Sequence, residues 1–250
     1  MKRNKFLAFL LVVMIIVTLL PAGAVVSLAL DYSDTLDLTA ARTISSTNGS
    51  NVLITMSGEG SPTSNAITVA SDFNGCITLQ NLNISGGGAL ITVQANAVVE
   101  FILDGANTIA STNNAGISIA AGAEVTITAK TSDDNDSLTV SGGGNGAGIY
   151  VGISGSDINE DVVRATLTIG GGTIAASSTL NGGGAAGIGG NGGGNGSMGN
   201  INITGGVVTA RAGDLTTGGY TGAGIGDGGS QWSGGGPTAT SGDITISGGQ

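Results

Sequence analysis

From about Ala66 onward, hydrophobic positions fall in short apolar, polar, apolar runs rather than at helical spacing, and the runs return in a fixed order of three. The first run of each set sits in a small apolar triplet: Ala115-Gly116-Ile117, Ala147-Gly148-Ile149, Ala186-Gly187-Ile188 and Ala223-Gly224-Ile225, with degenerate forms at Asn65-Ala66-Ile67 and Ala89-Leu90-Ile91. The second is Ile77-Thr78-Leu79, Phe101-Ile102-Leu103, Val125-Thr126-Ile127, Leu167-Thr168-Ile169, Ile201-Asn202-Ile203 or Ile244-Thr245-Ile246. The third is Leu82-Asn83-Ile84, Thr108-Ile109-Ala110, Leu138-Thr139-Val140, Thr173-Ile174-Ala175 or Val207-Val208-Thr209. Alternation of this kind marks half-buried strands, and its return at a period of tens of residues marks a solenoid. Leu36 to Ala40 and Asn51 to Met56 read as strands of an earlier, imperfect unit.

Successive triplet alanines are separated by 23 to 39 residues, so the strands keep their length while the connections grow. That is how stacked coils accept insertions, at turns and away from the core. A left-handed β-helix demands near-constant hexapeptide spacing. The spread of lengths therefore favours a right-handed parallel β-helix with three short strands per coil, in keeping with right-handed crossovers. Glycine follows the second strand at Asp104-Gly105, Gly170-Gly171-Gly172, Gly205-Gly206 and Gly248-Gly249, where its tolerance of positive φ allows sharp bends. The last unit stops at Gln250, before its third strand, which predicts that the natural product continues.

Composition sharpens this picture. There are 48 glycines but only three prolines and no Gly-X-Y period, which excludes collagen. With aromatics at 3%, the core is expected to be a stack of Ile, Val, Leu and Ala. Residues 1–29 read as a signal peptide, with Lys2, Arg3 and Lys5 before an apolar run from Phe6 to Leu20 and small residues at Ser27-Leu28-Ala29; an uncleaved anchor is the alternative. Residues 30–250 are then the β-helix, in an extracellular setting. They carry Arg42, Lys130, Arg164 and Arg211 against 17 acids, a net charge of −13 that argues against nucleic acid and permits divalent cations. Cys76, alone and beside Ile77, reads as a small core residue rather than a reactive thiol.

The chain has no histidine, which excludes Ser-His-Asp hydrolysis and histidine-based zinc sites. Gly189-Gly190-Asn191-Gly192-Gly193-Gly194 lacks the Gly-Lys-Ser/Thr ending of a phosphate loop and reads as a turn. Threading the acids onto coils brings Asp104 one coil before Asp133, Asp134 and Asp136, and Glu124 one coil before Asp157, Glu160 and Asp161. With Asn135 and Asn159 beside them, such oxygen clusters suit calcium; the alternative is that they simply solubilise the rod. Tyr150, Tyr220 and Trp232 are the aromatic candidates for packing against the C–H face of a sugar ring, or else they cover loops.

The strings Gly222-Ala223-Gly224-Ile225-Gly226 and Asp243-Ile244-Thr245-Ile246-Ser247-Gly248-Gly249, with counterparts near residues 186 and 201, resemble the glycine-rich β-helical repeat proteins of bacterial cell surfaces, of the carbohydrate-binding domain-containing type. The resemblance implies an extracellular right-handed β-helix with calcium-assisted binding of acidic polysaccharides. With no histidine and no convincing catalytic constellation, the leading expectation is binding of polysaccharide or cell-wall glycan without catalysis. Two competitors stand beside it. One is a polysaccharide lyase or hydrolase using Arg164 with Glu160 and Asp161, and the other is an adhesive stalk without sugar recognition.

Overall fold

The computed structural model describes residues 31–57, 61–131, 135–154, 161–179, 184–193, 196–213, 221–229 and 241–250. Among them there is no α-helix, and the strands assemble into three sheets in which every neighbouring pair is parallel. The longest holds eight strands: Asp34–Asp37, Asn51–Thr55, Asn74–Gln80, Val98–Asp104, Glu124–Ala129, Thr166–Ile169, Asn200–Ile203 and Ile244–Ile246. The triplet sheet holds seven: Arg42–Ile44, Ile67–Val69, Ile91–Val93, Ile117–Ile119, Ile149–Val151, Ile188–Gly189 and Ile225–Gly226. The short sheet holds five: Asn83–Gly86, Ala106–Ser111, Ser137–Gly142, Thr173–Ser178 and Val207–Arg211. From Asn74 onward the chain visits the long, short and triplet sheets in strict rotation.

The register explains why the triplets recur. Ile67, Ile91, Ile117, Ile149, Ile188 and Ile225 stand in one column, each the ladder partner of the next. All but Ile225 are at most 1% exposed. Since side chains alternate across a strand, an isoleucine held in register on each coil from Ile67 onward gives a continuous apolar seam. The long sheet supplies a second seam, Val52, Ile77, Phe101, Ile127, Ile169, Ile203 and Ile246. Phe101 therefore pairs with Ile127, two residues beyond the Val125 that opens the neighbouring run, and a slip of two keeps the same face inward.

Corners are built from backbone that only small residues tolerate. Between the long and short sheets, Asn81, Gly105, Gly172, Gly206 and Gly249 all adopt φ between 51° and 84°. The middle glycine of each triplet lies where a short-sheet strand runs into the triplet sheet. A β-carbon on Gly116 would stand 2.8 Å from the Ser141 carbonyl oxygen, and one on Gly187 would stand 2.6 Å from the Arg211 nitrogen.

Several expectations need correction. The first strand spans Asp34–Asp37 rather than Leu36 to Ala40, because Leu38 turns into the core at 2% exposure. A further strand, Arg42–Ile44, precedes the first triplet. The core includes aromatic residues, since Phe73 and Phe101 are each 1% exposed. Cys76 is no core residue: Ile77 points inward, so alternation turns Cys76 to the outer face, half-buried between Asn51 and Glu100.

Candidate functional site

The triplet sheet has strands of at most three residues, so each of its three-residue strands presents a single side chain outward, while Ile188–Gly189 and Ile225–Gly226 have glycine at that position. Thr43, Thr68, Thr92, Ser118 and Tyr150 are successive ladder partners on that outer face. From Thr68 onward their flanking residues, such as Ile117 and Ile119 around Ser118, are buried, which fixes the alternation and aims the side chains away from the core; beside Thr43, Ile44 is buried and Arg42 half-buried. The result is a line of four hydroxyls ending in a phenol ring, repeated at about 4.8 Å per coil. Tyr150 is half-buried, and its Cε1 lies 3.3 Å from where a β-carbon on Gly152 would stand, so the ring lies along the strand over Gly152. Burial pushes the phenol above its ordinary pKa, while a bond with the Ile153 amide pulls it back in part. The next coil places Gly189 opposite Tyr150, leaving no side chain beside the ring on that strand.

A second polar line runs on the outer face of the long sheet through Asn51, Cys76, Glu100, Thr126, Thr168, Asn202 and Thr245. Within it Cys76 Sγ donates to Glu100 Oε2 at 3.4 Å, and Thr128 Oγ1 donates to Oε1 at 2.8 Å. Burial, then the Glu100 carboxylate, push the Cys76 thiol up, away from the nucleophilic thiolate.

The acidic corner brings together Asp104 and Asp136 from neighbouring coils. Asp136 is 4% exposed, and its carboxylate accepts from Gly105 N–H at 2.8 Å, Thr131 N–H at 2.7 Å and Thr131 Oγ1 at 2.8 Å. Burial raises its pKa, but these donors, with Lys130 nearby, outweigh burial and hold it below the usual carboxylate value. Asp104 Oδ2 accepts from Lys130 Nζ at 2.8 Å and from Gln80 Nε2 at 2.7 Å. The pair thus serves a turn and an ion pair. Among the described residues no group of three acidic or thiol side chains converges on a point that would hold a metal.

Glu124 and Asp161 are both exposed, and Asn135 sits in an exposed turn. Arg164 is half-buried and bridges back to Ile153. Asp133, Asp134, Asp157, Asn159, Glu160, Tyr220 and Trp232 lie outside the described residues. One polar residue escaped the sequence reading. Asn107, 1% exposed, occupies a column otherwise filled by Leu138 and Ile174. Its Oδ1 accepts from Leu82 N–H at 3.0 Å, and its Nδ2 donates to the Gly105 and Ser137 carbonyls at 3.3 Å each. The signal was available as an amide interrupting an apolar column.

No helix of the described residues is long and apolar enough to cross a membrane. No family model, curated protein or solved structure matches the chain.

Proposed function

We propose that this chain is a secreted, right-handed parallel β-helix of three-strand coils that binds polysaccharide along the outer face of its triplet sheet, without cleaving it. The observation that carries the reading is the single outward column of Thr43, Thr68, Thr92, Ser118 and Tyr150. A polymer lying along that column meets one hydroxyl, able both to donate and to accept, on each of four coils, and then an aromatic ring. The repeat of about 4.8 Å is close to the advance of one sugar unit in an extended chain, so successive units meet equivalent partners. Each contact is weak, and a ladder of them gains through multiplicity.

The rotation of the chain through long, short and triplet sheets supports the three-strand coil, and crossover chirality supports the right hand. The signal-like residues 1–29 support secretion. Calcium enters this reading through Asp133, Asp134, Asp157, Glu160 and Asp161, because Asp104 already faces Lys130 and Asp136 has three protein donors. A glycan array probed with the purified chain, with and without calcium, tests the reading. Retention on a polysaccharide supports it, a calcium requirement assigns part of the ligand set to those acidic residues, and no retention on any glycan contradicts it.

A further inference from the structure

The three sheets do not begin together, and the mismatch leaves a hollow. The short sheet starts at Asn83–Gly86, after the long sheet has laid down three strands and the triplet sheet two. Ahead of it, among the described residues, Thr63 makes an isolated parallel bridge to Ile84. Beside Thr63 there is a cleft of about 280 Å³, bounded by Asp37, Met56, Ser57, Ser61, Thr63 and Asn65 over buried Leu38.

Its walls are held from behind. Ser57 N–H donates to Asp37 Oδ1 at 3.0 Å, and the Ser57 hydroxyl donates to Oδ2. Arg42 Nη2 donates to the Asp37 carbonyl at 2.6 Å, Asn65 Nδ2 donates to the Leu38 carbonyl at 3.1 Å, and Asn83 N–H meets Met56 Sδ at 3.1 Å. Ser57's hydroxyl bond, followed by its backbone bond, holds the Asp37 carboxyl below its usual pKa, and the Arg42 cation adds to this, so Asp37 is ionised at neutral pH. The lining is therefore a carboxylate, hydroxyls and an amide around the flexible apolar side chain of Met56. The Asp37 carboxylate on the wall disfavours a second carboxylate placed against it, and the set offers partners to vicinal hydroxyls and gives a C–H face something to rest on. Its volume lies just below the usual range for small-molecule pockets, enough for one ring and too little for several.

We propose that this cleft holds a single neutral sugar unit, an end subsite distinct from the extended column of the triplet sheet; the proposal rests on the polysaccharide reading. The test is methyl NMR of the purified chain titrated with methyl glycosides of neutral hexopyranoses and with the matching hexuronates. Met56 lines the cleft, whereas Met198, at 3% exposure in the core, is the internal control. We expect the Met56 signal to shift with at least one neutral glycoside at a Kd on the order of millimolar, with Met198 still. The hexuronate should bind about ten-fold more weakly, and about as well as the neutral sugar in Asp37→Asn. Ser61→Leu, which fills the exposed mouth, should abolish the shift, and Tyr150→Ala should leave it intact. An unmoved Met56 alongside retention on a polysaccharide overturns the cleft and spares the broader reading. Stronger binding of the uronate, or an unchanged shift in Ser61→Leu, also overturns it. Absence of both the shift and polymer retention overturns the two together.

Discussion

A β-carbon added to Gly148 would stand 2.8 Å from the backbone nitrogen of Ser177 and 2.7 Å from the carbonyl oxygen of Gly187. Both obstacles are main chain, one from the short sheet and one from the next coil, and neither can rotate away. Gly148→Ala is therefore expected to cost about 3 kcal/mol, at the upper end of overpacking penalties. Gly88 is the control: nothing lies within 4 Å of its added β-carbon, so Gly88→Ala should stay within about 0.5 kcal/mol of the native chain. Urea melts of the two variants check the contrast.

Asn107 joins the backbone of three successive coils at Leu82, Gly105 and Ser137. Asn107→Leu matches the Leu138 beside it and strands the Leu82 N–H in the interior, so a loss of about 1–3 kcal/mol is expected despite the gain in apolar surface. A stability equal to or above native would show that the apolar column, not the amide bridge, governs this position.

Asp136 gives the fold an acid-sensitive joint. Its folded pKa lies below the unfolded value of about 3.9, so the stability it contributes is fully present above that value and is lost as pH falls through the folded pKa. Asp136→Asn should lower the native Tm near neutral pH and flatten the decline of Tm below about pH 4. Thermal melts from pH 2 to pH 7 check both effects, and parallel curves for the two chains would assign the acid sensitivity elsewhere.

The Lys130 to Asp104 ion pair is half-open to solvent, at 37% and 19% exposure. Its worth is accordingly small, about 0.5 kcal/mol, and Lys130→Met should change Tm by no more than a few degrees. Its removal leaves Asp104 Oδ2 with the neutral Gln80 amide as its partner, so a calcium-dependent rise in Tm that is larger in Lys130→Met than in the native chain would show that the lysine blocks cation binding at this corner.

Most of the scaffold was legible because the triplet isoleucines repeat in a small-residue frame. Ile117 and Ile149 could be matched without knowing what joined them. The positive-φ corner was equally visible as glycine at 105, 172, 206 and 249, while its first position hides in Asn81, one of the few other residues that tolerate that conformation. Arg42–Ile44 was missed because arginine stands where later coils have the column isoleucine, its guanidinium carried back to the Asp37 carbonyl. The acidic corner was legible as proximity and not as chemistry. Sequence places Asp104 and Asp136 on adjacent coils, but it does not reveal that the Gly105 amide already serves Asp136 and the Lys130 ammonium Asp104. The hydroxyl column was hidden for a related reason, since threonine in a strand reads first as a β-former.

Affinity electrophoresis through gels containing a polysaccharide retained on the array tests the central claim most directly, comparing the native chain with Thr92→Arg and Tyr150→Ala. Thr92 is half-buried in the middle of the column and Tyr150 ends it, so both changes disrupt the face while leaving the inward seams untouched. The account predicts that the native chain is retarded, that each variant migrates faster by about a ten-fold loss of affinity or more, and that no reducing or unsaturated sugar ends are released. Equal retardation of all three chains, or release of such ends by the native chain, would contradict it.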